Sequence, residues 1–344
     1  MSRALELAKR GAGSVSPNPM VGCVVVKDNE IIGEGWHQKF GGAHAEVEAL
    51  RSVKNRSEIP GSTVYVSLEP CAHFGKTPPC TNLLINEKVG KVVIGCQDPN
   101  PAVNGKGIRQ LEDSGITVEI SKLSSQALEL NRRFFTSHLK HRPYIILKWA
   151  QTTDGFVART DYTSKWISSE LSRQWVHRWR SEEDAVVIGR TTAEKDNASL
   201  TVREWTGRNP VRVMLLNNGQ VNPKWNIFDQ SATTLCYCAG QKIEIPGCET
   251  ITCKENFISS ILTDLNSRGI ISLIVEGGAK TFKSFIDLGL WDEARVFTSP
   301  VSFGEGIAAP KIDGVKVSKI NSGPDQLIII RHPESFFSNG QAME

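Results

Sequence analysis

The sequence predicts an α/β protein of two three-layer domains, and three observations carry that expectation. Strand-like apolar runs alternate with helical periodicity along the whole chain, the pattern of sheets covered by helices. The 344 residues amount to about two domains at roughly 100–200 residues each, and each half is long enough to bury its own core. A basic, proline-ended stretch, Leu139-Lys140-His141-Arg142-Pro143, follows a helical pattern and precedes an apolar run, so it reads as the boundary. The domains are expected at residues 1–141 and 142–344.

In the first half, residues 3–10 carry helical apolar positions at Leu5, Leu7 and Ala8. Met20–Val26 and Ile31–Trp36 read as strands, and Ala45–Val53 as a helix after a Gly-Gly turn. Thr63–Leu68, Lys91–Gly95 and Ile116–Ile120 are further strands, with helical stretches near 105–114 and 124–137. In the second half, Tyr144–Lys148, Ala185–Gly189, Val211–Leu216 and Ile271–Glu276 are strands. Helices are expected over Ile258–Arg268 and Thr281–Leu288, and Glu293–Ser299 and Leu327–Arg331 close the sequence as strands.

Composition narrows the function. Forty basic residues against 37 acidic ones leave a net charge of +3, too weak to make nucleic acid or a membrane surface the main partner. No apolar run approaches the roughly 20 residues of a membrane span, and Met1–Glu6 opens an amphipathic pattern rather than a signal region. A cytoplasmic location is expected, with a small molecule as partner. In a reducing compartment the eight cysteines are not expected to form a disulfide framework. Cys23 and Cys96 read as buried strand residues. Cys236, Cys238, Cys248 and Cys253 lack CxxC spacing and a nearby histidine, so they too read as strand residues rather than metal ligands.

Cys71 and Cys80 differ, because Pro70-Cys71 and Cys80 follow His44-Ala45-Glu46. One histidine and two cysteines give zinc three protein ligands and leave an open position, as catalytic zinc sites do. Glu46, two residues past His44, would be the general acid and base of a zinc deaminase. In the zinc-deaminase pattern the cysteines are two residues apart, whereas here eight residues lie between them. That spacing still allows one metal if Cys80 opens a helix.

Residues 69–80, Glu-Pro-Cys-Ala-His-Phe-Gly-Lys-Thr-Pro-Pro-Cys, resemble the deaminase half of bifunctional riboflavin-biosynthesis proteins of the RibD type. Pro17-Asn18-Pro19-Met20-Val21-Gly22, His37, Gly42–Glu46 and Asp98-Pro99-Asn100-Pro101 extend the resemblance over the first half. It implies a cytidine-deaminase-like fold and hydrolytic deamination of 2,5-diamino-6-ribosylamino-4(3H)-pyrimidinone 5′-phosphate. On that reading Lys76 suits the phosphate or is a solvated lysine. Asn18 offers an amide to the pyrimidine edge or is a turn residue. His37 contacts substrate or is structural, and His73 and Asp98 stand equally open.

In the second half, glycine turns at Val187-Ile188-Gly189-Arg190-Thr191-Thr192 and at Val275-Glu276-Gly277-Gly278-Ala279-Lys280-Thr281 let the backbone approach a ligand. Lys148-Trp149-Ala150, Asp154-Gly155, Ser164–Ser168, Asp184–Gly189 and Asp196–Arg203 accompany them in order. This series is similar to the reductase half of the same family, which implies a dihydrofolate-reductase-like fold. There NADPH reduces the ribosyl group of 5-amino-6-(5-phosphoribosylamino)uracil to ribityl. The resemblance places Ala150, Trp166, Thr192, Asp196, Gly278, Ala279, Lys280 and Thr281 on the cofactor side. It places Ser164, Arg180, Leu200, Arg203 and Glu276 on the substrate side, where the guanidinium forks of Arg180 and Arg203 suit the 5′-phosphate or form surface ion pairs. One departure is Ala198, where the family usually has proline. The expectation is a bifunctional, homo-oligomeric enzyme that uses zinc and NADPH. Rival readings are a nucleoside or tRNA deaminase with a binding module, and a non-catalytic nucleotide sensor.

Overall fold

Asp28 and Asn29 take positive φ, 49° and 65°, the conformation a two-residue hairpin turn demands. They join β1 (Gly22–Lys27) to antiparallel β2 (Glu30–Trp36). The structure, a computed structural model, describes all residues except 75–77, 102, 164–166, 217–219, 241–242, 254, 336 and 338–344. The chain divides into two units, the first spanning Met1–Lys140 and the second beginning at His141.

In the first unit β3 (Thr63–Val66), β4 (Lys91–Ile94) and β5 (Thr117–Ile120) complete a five-stranded sheet of order β2-β1-β3-β4-β5, parallel from β3 onward. Helices α2 (Ala45–Ser52), α3 (Cys80–Asn86) and α4 (Lys106–Asp113) send Ala49, Leu50, Leu84 and Leu111 into a core with Cys23, Val25, Val64, Val66 and Ile94. On the opposite face α1 (Ser2–Lys9) packs Ala4 and Leu7 on Val24. A side chain at Gly35 would put its Cβ 2.3 Å from the Ala49 nitrogen, so glycine is what lets α2 lie on β2.

Two expectations need correcting here, and one contact explains both. The helix expected over 124–137 is two helices, α5 (Ser124–Leu130) and α6 (Arg132–Lys140), broken at Asn131. The strand expected from Met20 begins at Gly22. The Asn131 carboxamide accepts from the Met20 N–H at 2.8 Å and donates to its carbonyl at 2.9 Å, so these main-chain groups are taken before the sheet begins.

The second unit is built on a nine-stranded sheet of order β11-β10-β9-β8-β12-β6-β13-β16-β15. Its strands are β6 (Tyr144–Gln151), β8 (Ala185–Gly189), β9 (Val211–Leu216), β10 (Thr234–Cys238), β11 (Glu249–Thr252), β12 (Ser272–Val275), β13 (Glu293–Thr298), β15 (Val315–Ser322) and β16 (Asp325–Arg331). All pairs are parallel except those made by β16. β7 (Phe156–Ala158) and β14 (Ile307–Ala308) pair separately. Helices α7 (Glu170–Glu182) and α8 (Arg190–Asp196) cover one face through Val176, Trp179 and Ala193. α9 (Phe257–Ser267) and α10 (Ala279–Asp287) cover the other through Ile261, Leu265, Phe282 and Phe285. Both units therefore have the expected three layers. Cys236 and Cys238 lie on β10, whereas Cys248 and Cys253 flank β11 rather than belonging to it.

Buried carboxylates tie the starts of the parallel strands together. Asp184 accepts from the N–H groups of Ile271 and Ser272 at 2.9 and 3.2 Å and from Arg208 at 2.6 Å. Asp292 accepts two bonds from Arg142, at 2.6 and 2.9 Å, and the Ile145 N–H at 2.9 Å. The Arg142 side chain is only 12% exposed. Removing its anion leaves a nearly buried charge and an N–H without an acceptor. Asp292→Ala should lower stability by about 3–5 kcal/mol, read from urea denaturation of the full chain. A loss below about 1 kcal/mol, the scale of a surface pair, would show that the contact is not structural.

Candidate functional site

His44 caps the start of α2, Cys80 opens α3, and Cys71 lies in the loop between β3 and α3. His44 Nδ1 stands 3.6 Å from Cys71 Sγ and 3.3 Å from Cys80 Sγ, and the Cys80 N–H donates to Cys71 Sγ at 3.3 Å. Among the described residues this is the one group of three metal-ligand side chains whose donor atoms all lie within 4.8 Å. Zinc bonds of about 2.0–2.3 Å in a tetrahedron set N···S edges of about 3.6 Å, so the donor set fits zinc.

Without a metal the three donors share protons among themselves. The Cys80 thiol donates to Cys71 and, with His44 nearby, holds the Cys71 thiol well below its usual range. The same bond and burial push Cys80 up. The bond to Cys71 raises His44 to about 8. Glu46, in the first turn of α2, is 3% exposed. Burial, reinforced by the charge on Cys71, raises its proton affinity, which suits a group that must take up and release a proton.

Around this set, Asn18 Nδ2 lies 3.1 Å from His37 Nε2, and His37 Nδ1 lies 2.9 Å from the Ala43 carbonyl. The His37 and His44 rings meet edge-on at 5.8 Å. Asp98 is buried, and burial raises it to about 6. Its N–H is held by Glu69, a residue the sequence reading quoted but gave no role. The Glu69 carboxylate accepts from Asp98, Gly105, Gly107 and Ile108 N–H groups at 3.0–3.3 Å. His73 is exposed, and Lys76 lies outside the described residues.

In the second unit the two glycine turns meet at the carboxyl ends of β8 and β12. Thr192 Oγ1 accepts the Gly278 N–H at 2.9 Å. A Cβ on Gly189 would lie 2.6 Å from Thr281 Oγ1, so a side chain there would push the turns apart. Gly189 and Gly278 cap α8 and α10, and neither helix start has a side-chain cap. Helix starts without a side-chain cap suit an anion, although the Gly278 N–H itself is taken by Thr192. Ala279 and Lys280 continue the second turn, Asp196 ends α8, and Ala150 is half-buried on β6, opposite Phe297 of β13. Trp166 and Ser164 lie outside the described residues.

Glu276 is the electrostatic centre of this pocket. Arg180 grips it with two bonds, at 2.8 and 2.9 Å, and Lys148 Nζ stands 3.5 Å away. Burial opposes the charge of Glu276, yet Arg180 and Lys148 hold its carboxyl down to about 2. Burial lowers Lys148 in turn. Lys148 is the residue sequence reasoning left without a role, although a lysine inside the apolar run Tyr144–Ala150 was the available signal. Arg180, expected on the substrate phosphate, is committed to Glu276 and to the Thr201 carbonyl at 3.3 Å. The Leu200 side chain packs into the core, and its backbone holds φ at 58°. Arg203 is exposed. Its N–H donates to His177 Nδ1 at 3.2 Å, and its guanidinium bonds Thr201. Burial, with Arg180 and Arg203 nearby, lowers His177, so it is neutral near pH 7 and free to accept. Where the family usually has proline after Asn197, Asn226 donates its N–H and amide to Asn197 at 2.8 and 2.9 Å and braces the loop.

Comparison with known proteins identifies both units. Residues 1–96 match the cytidine and deoxycytidylate deaminase zinc-binding region, and residues 143–327 match the RibD C-terminal domain. A riboflavin biosynthesis protein RibD of Aquifex aeolicus is 41% identical over 90% of this chain and 88% of its own length. The Escherichia coli RibD is 36% identical over 88% of each chain. The solved structure of a Thermotoga maritima diaminohydroxyphosphoribosylaminopyrimidine deaminase/5-amino-6-(5-phosphoribosylamino)uracil reductase is 39% identical. It superposes with a TM-score of 0.89 over 96% of this chain and 97% of that one. With relatives this similar across both units, the chain belongs to the RibD family of riboflavin biosynthesis proteins.

Proposed function

We propose that each unit houses one of two consecutive reactions, with the deaminase in residues 1–141 and the reductase in residues 142–344. The chain is a bifunctional riboflavin-biosynthesis enzyme. It hydrolytically deaminates 2,5-diamino-6-ribosylamino-4(3H)-pyrimidinone 5′-phosphate, then reduces the ribosyl group of 5-amino-6-(5-phosphoribosylamino)uracil to ribityl. The observation that carries this reading is the three-donor set beside buried Glu46, in a chain whose relatives match it through both units.

In the deaminase, His44, Cys71 and Cys80 hold zinc. When bound, zinc supplies a water acidic enough to be a nucleophile near neutral pH. Glu46 takes a proton from water and delivers it to the departing amine. Asn18 and His37 orient the pyrimidine edge, and Lys76 meets the phosphate. In the reductase, Ala150, Trp166, Thr192, Asp196 and Gly278–Thr281 hold NADPH, which supplies the reducing equivalents. Ser164, Arg203 and Glu276 face the substrate, Leu200 offers it main-chain groups because its side chain lies in the core, and Arg180 acts by fixing Glu276. Exposed Arg203 is the group free to grip the 5′-phosphate. No helix among the described residues is long and apolar enough to cross a membrane. We place the enzyme in the cytoplasm, as a homo-oligomer. Exposed Val315, Val317 and Ile320 on edge strand β15 offer an apolar strip for assembly.

Metal analysis checks the ligand set: Cys80→Ser should fall well below one zinc per chain, and full occupancy with normal deamination would remove Cys80 from the site. An assay resolving ammonia release from NADPH oxidation separates the halves. Glu46→Gln should lose about 10²–10⁴-fold in deamination with zinc retained and reduction of the deaminated intermediate unaffected. Wild-type ammonia release would refute its role. Arg203→Ala should raise the reductase KM for the phosphorylated substrate about 10–150-fold, the cost of a bond to a charged group. The NADPH KM should hardly change, and the reverse result would move Arg203 to the cofactor side.

A further inference from the structure

We infer that Asn131 is a positioning residue of the deaminase: from the break between α5 and α6 it fixes the main chain of Met20 and, through it, the segment that presents Asn18. The inference rests on the reading of Asn18 as a pyrimidine contact.

Asn131 is 2% exposed. Its carboxamide spends one acceptor and one donor on the same residue, accepting the Met20 N–H at 2.8 Å and donating to the Met20 carbonyl at 2.9 Å. A two-point contact of this kind sets orientation as well as position, much as the paired bonds of adjacent antiparallel strands do. An apolar side chain in its place would leave both Met20 groups without partners.

The held residue is two positions from Asn18, with Pro19 between them. Proline fixes its own φ, so anchoring Met20 leaves little freedom to the Asn18 backbone. Past Met20, the Val21 carbonyl accepts the His37 N–H at 2.9 Å. Asn18 and His37 then meet through their side chains at 3.1 Å, and His37 reaches the Ala43 carbonyl beside His44. A continuous path thus runs from Asn131 to the metal ligand. It begins outside residues 1–96, the part that matches the zinc-binding region of deaminases. The element after β5 therefore reaches back into the site. Asn131 is held in turn, since its N–H donates to the Ala127 and Leu128 carbonyls and its carbonyl accepts from Phe135.

The test is a double-mutant cycle in the full-length, zinc-loaded enzyme, combining Asn131→Ala with Asn18→Ala and following deamination. Each single change should raise the pyrimidine KM by about 10-fold, the upper range for neutral hydrogen bonds, with a smaller change in kcat. The double variant should be no worse than the poorer single one, because both remove the same contact. Zinc content and the reductase reaction should be unchanged. If Asn131→Ala does not fold, Asn131→Ser, which keeps one bond, takes its place in the cycle. Losses that multiply, a normal Asn131 variant beside an impaired Asn18→Ala, or failure of both Asn131 variants to fold would overturn the positioning role. A wild-type KM in Asn18→Ala would instead overturn the reading of Asn18 on which the inference rests.

Discussion

Both units depend on buried carboxylates that accept main-chain N–H groups from segments distant in sequence. Glu69 takes four such groups from residues 98–108. Asp184 joins the start of β12 to the end of α7, and Asp292 joins the start of β6 to β13. Asp325 accepts the Ser169 N–H at 2.7 Å and the Ser172 hydroxyl at 2.6 Å, fastening the start of α7 to β16. A carboxylate taken out of water is costly unless its lone pairs are filled. Charge-assisted bonds are about twice as strong as neutral ones. Glu69, Asp184 and Asp292 therefore tolerate only arrangements in which their donors converge, and that selectivity sets the loops on which the chemistry stands.

The two sites arrange charge in opposite ways. In the first unit His44, Cys71 and Cys80 crowd three donors together, and burial beside them raises the proton affinity of Glu46. In the reductase pocket a single carboxylate, Glu276, faces two cations, Arg180 and Lys148. Asp196 also acts on Lys148, and Glu204 stands 4.0 Å from His177 beside Arg203, so cations and carboxylates are nearly balanced here, and low dielectric around the buried members strengthens each pair.

Legibility in the sequence followed how directly a residue's chemistry depends on its neighbours along the chain. The alternation of strands and helices was readable because apolar period and element type coincide, as in Tyr144–Gln151 and Phe257–Ser267. The zinc donors were readable because His44 and Glu46 share one helix start and Cys71 follows a strand. Helix α7 was not read, because its inward face includes Ser172, His177 and Arg180, polar residues whose partners lie far away in sequence. Asn131 was invisible for the same reason: its partner is 111 positions away. The phosphate role expected of Arg180 overlooked Glu276, which lies 96 positions on and claims its guanidinium.

Cys71 and Cys80 bracket eight residues, and the exposed Phe74 among them is 77% accessible. Because both ends of that loop are pinned at one metal position, the closure entropy is set mainly by the pinning and grows only slowly with loop length. The length of the span between the ligands is therefore only weakly constrained by closure itself, which is how eight residues can stand where other zinc deaminases have two.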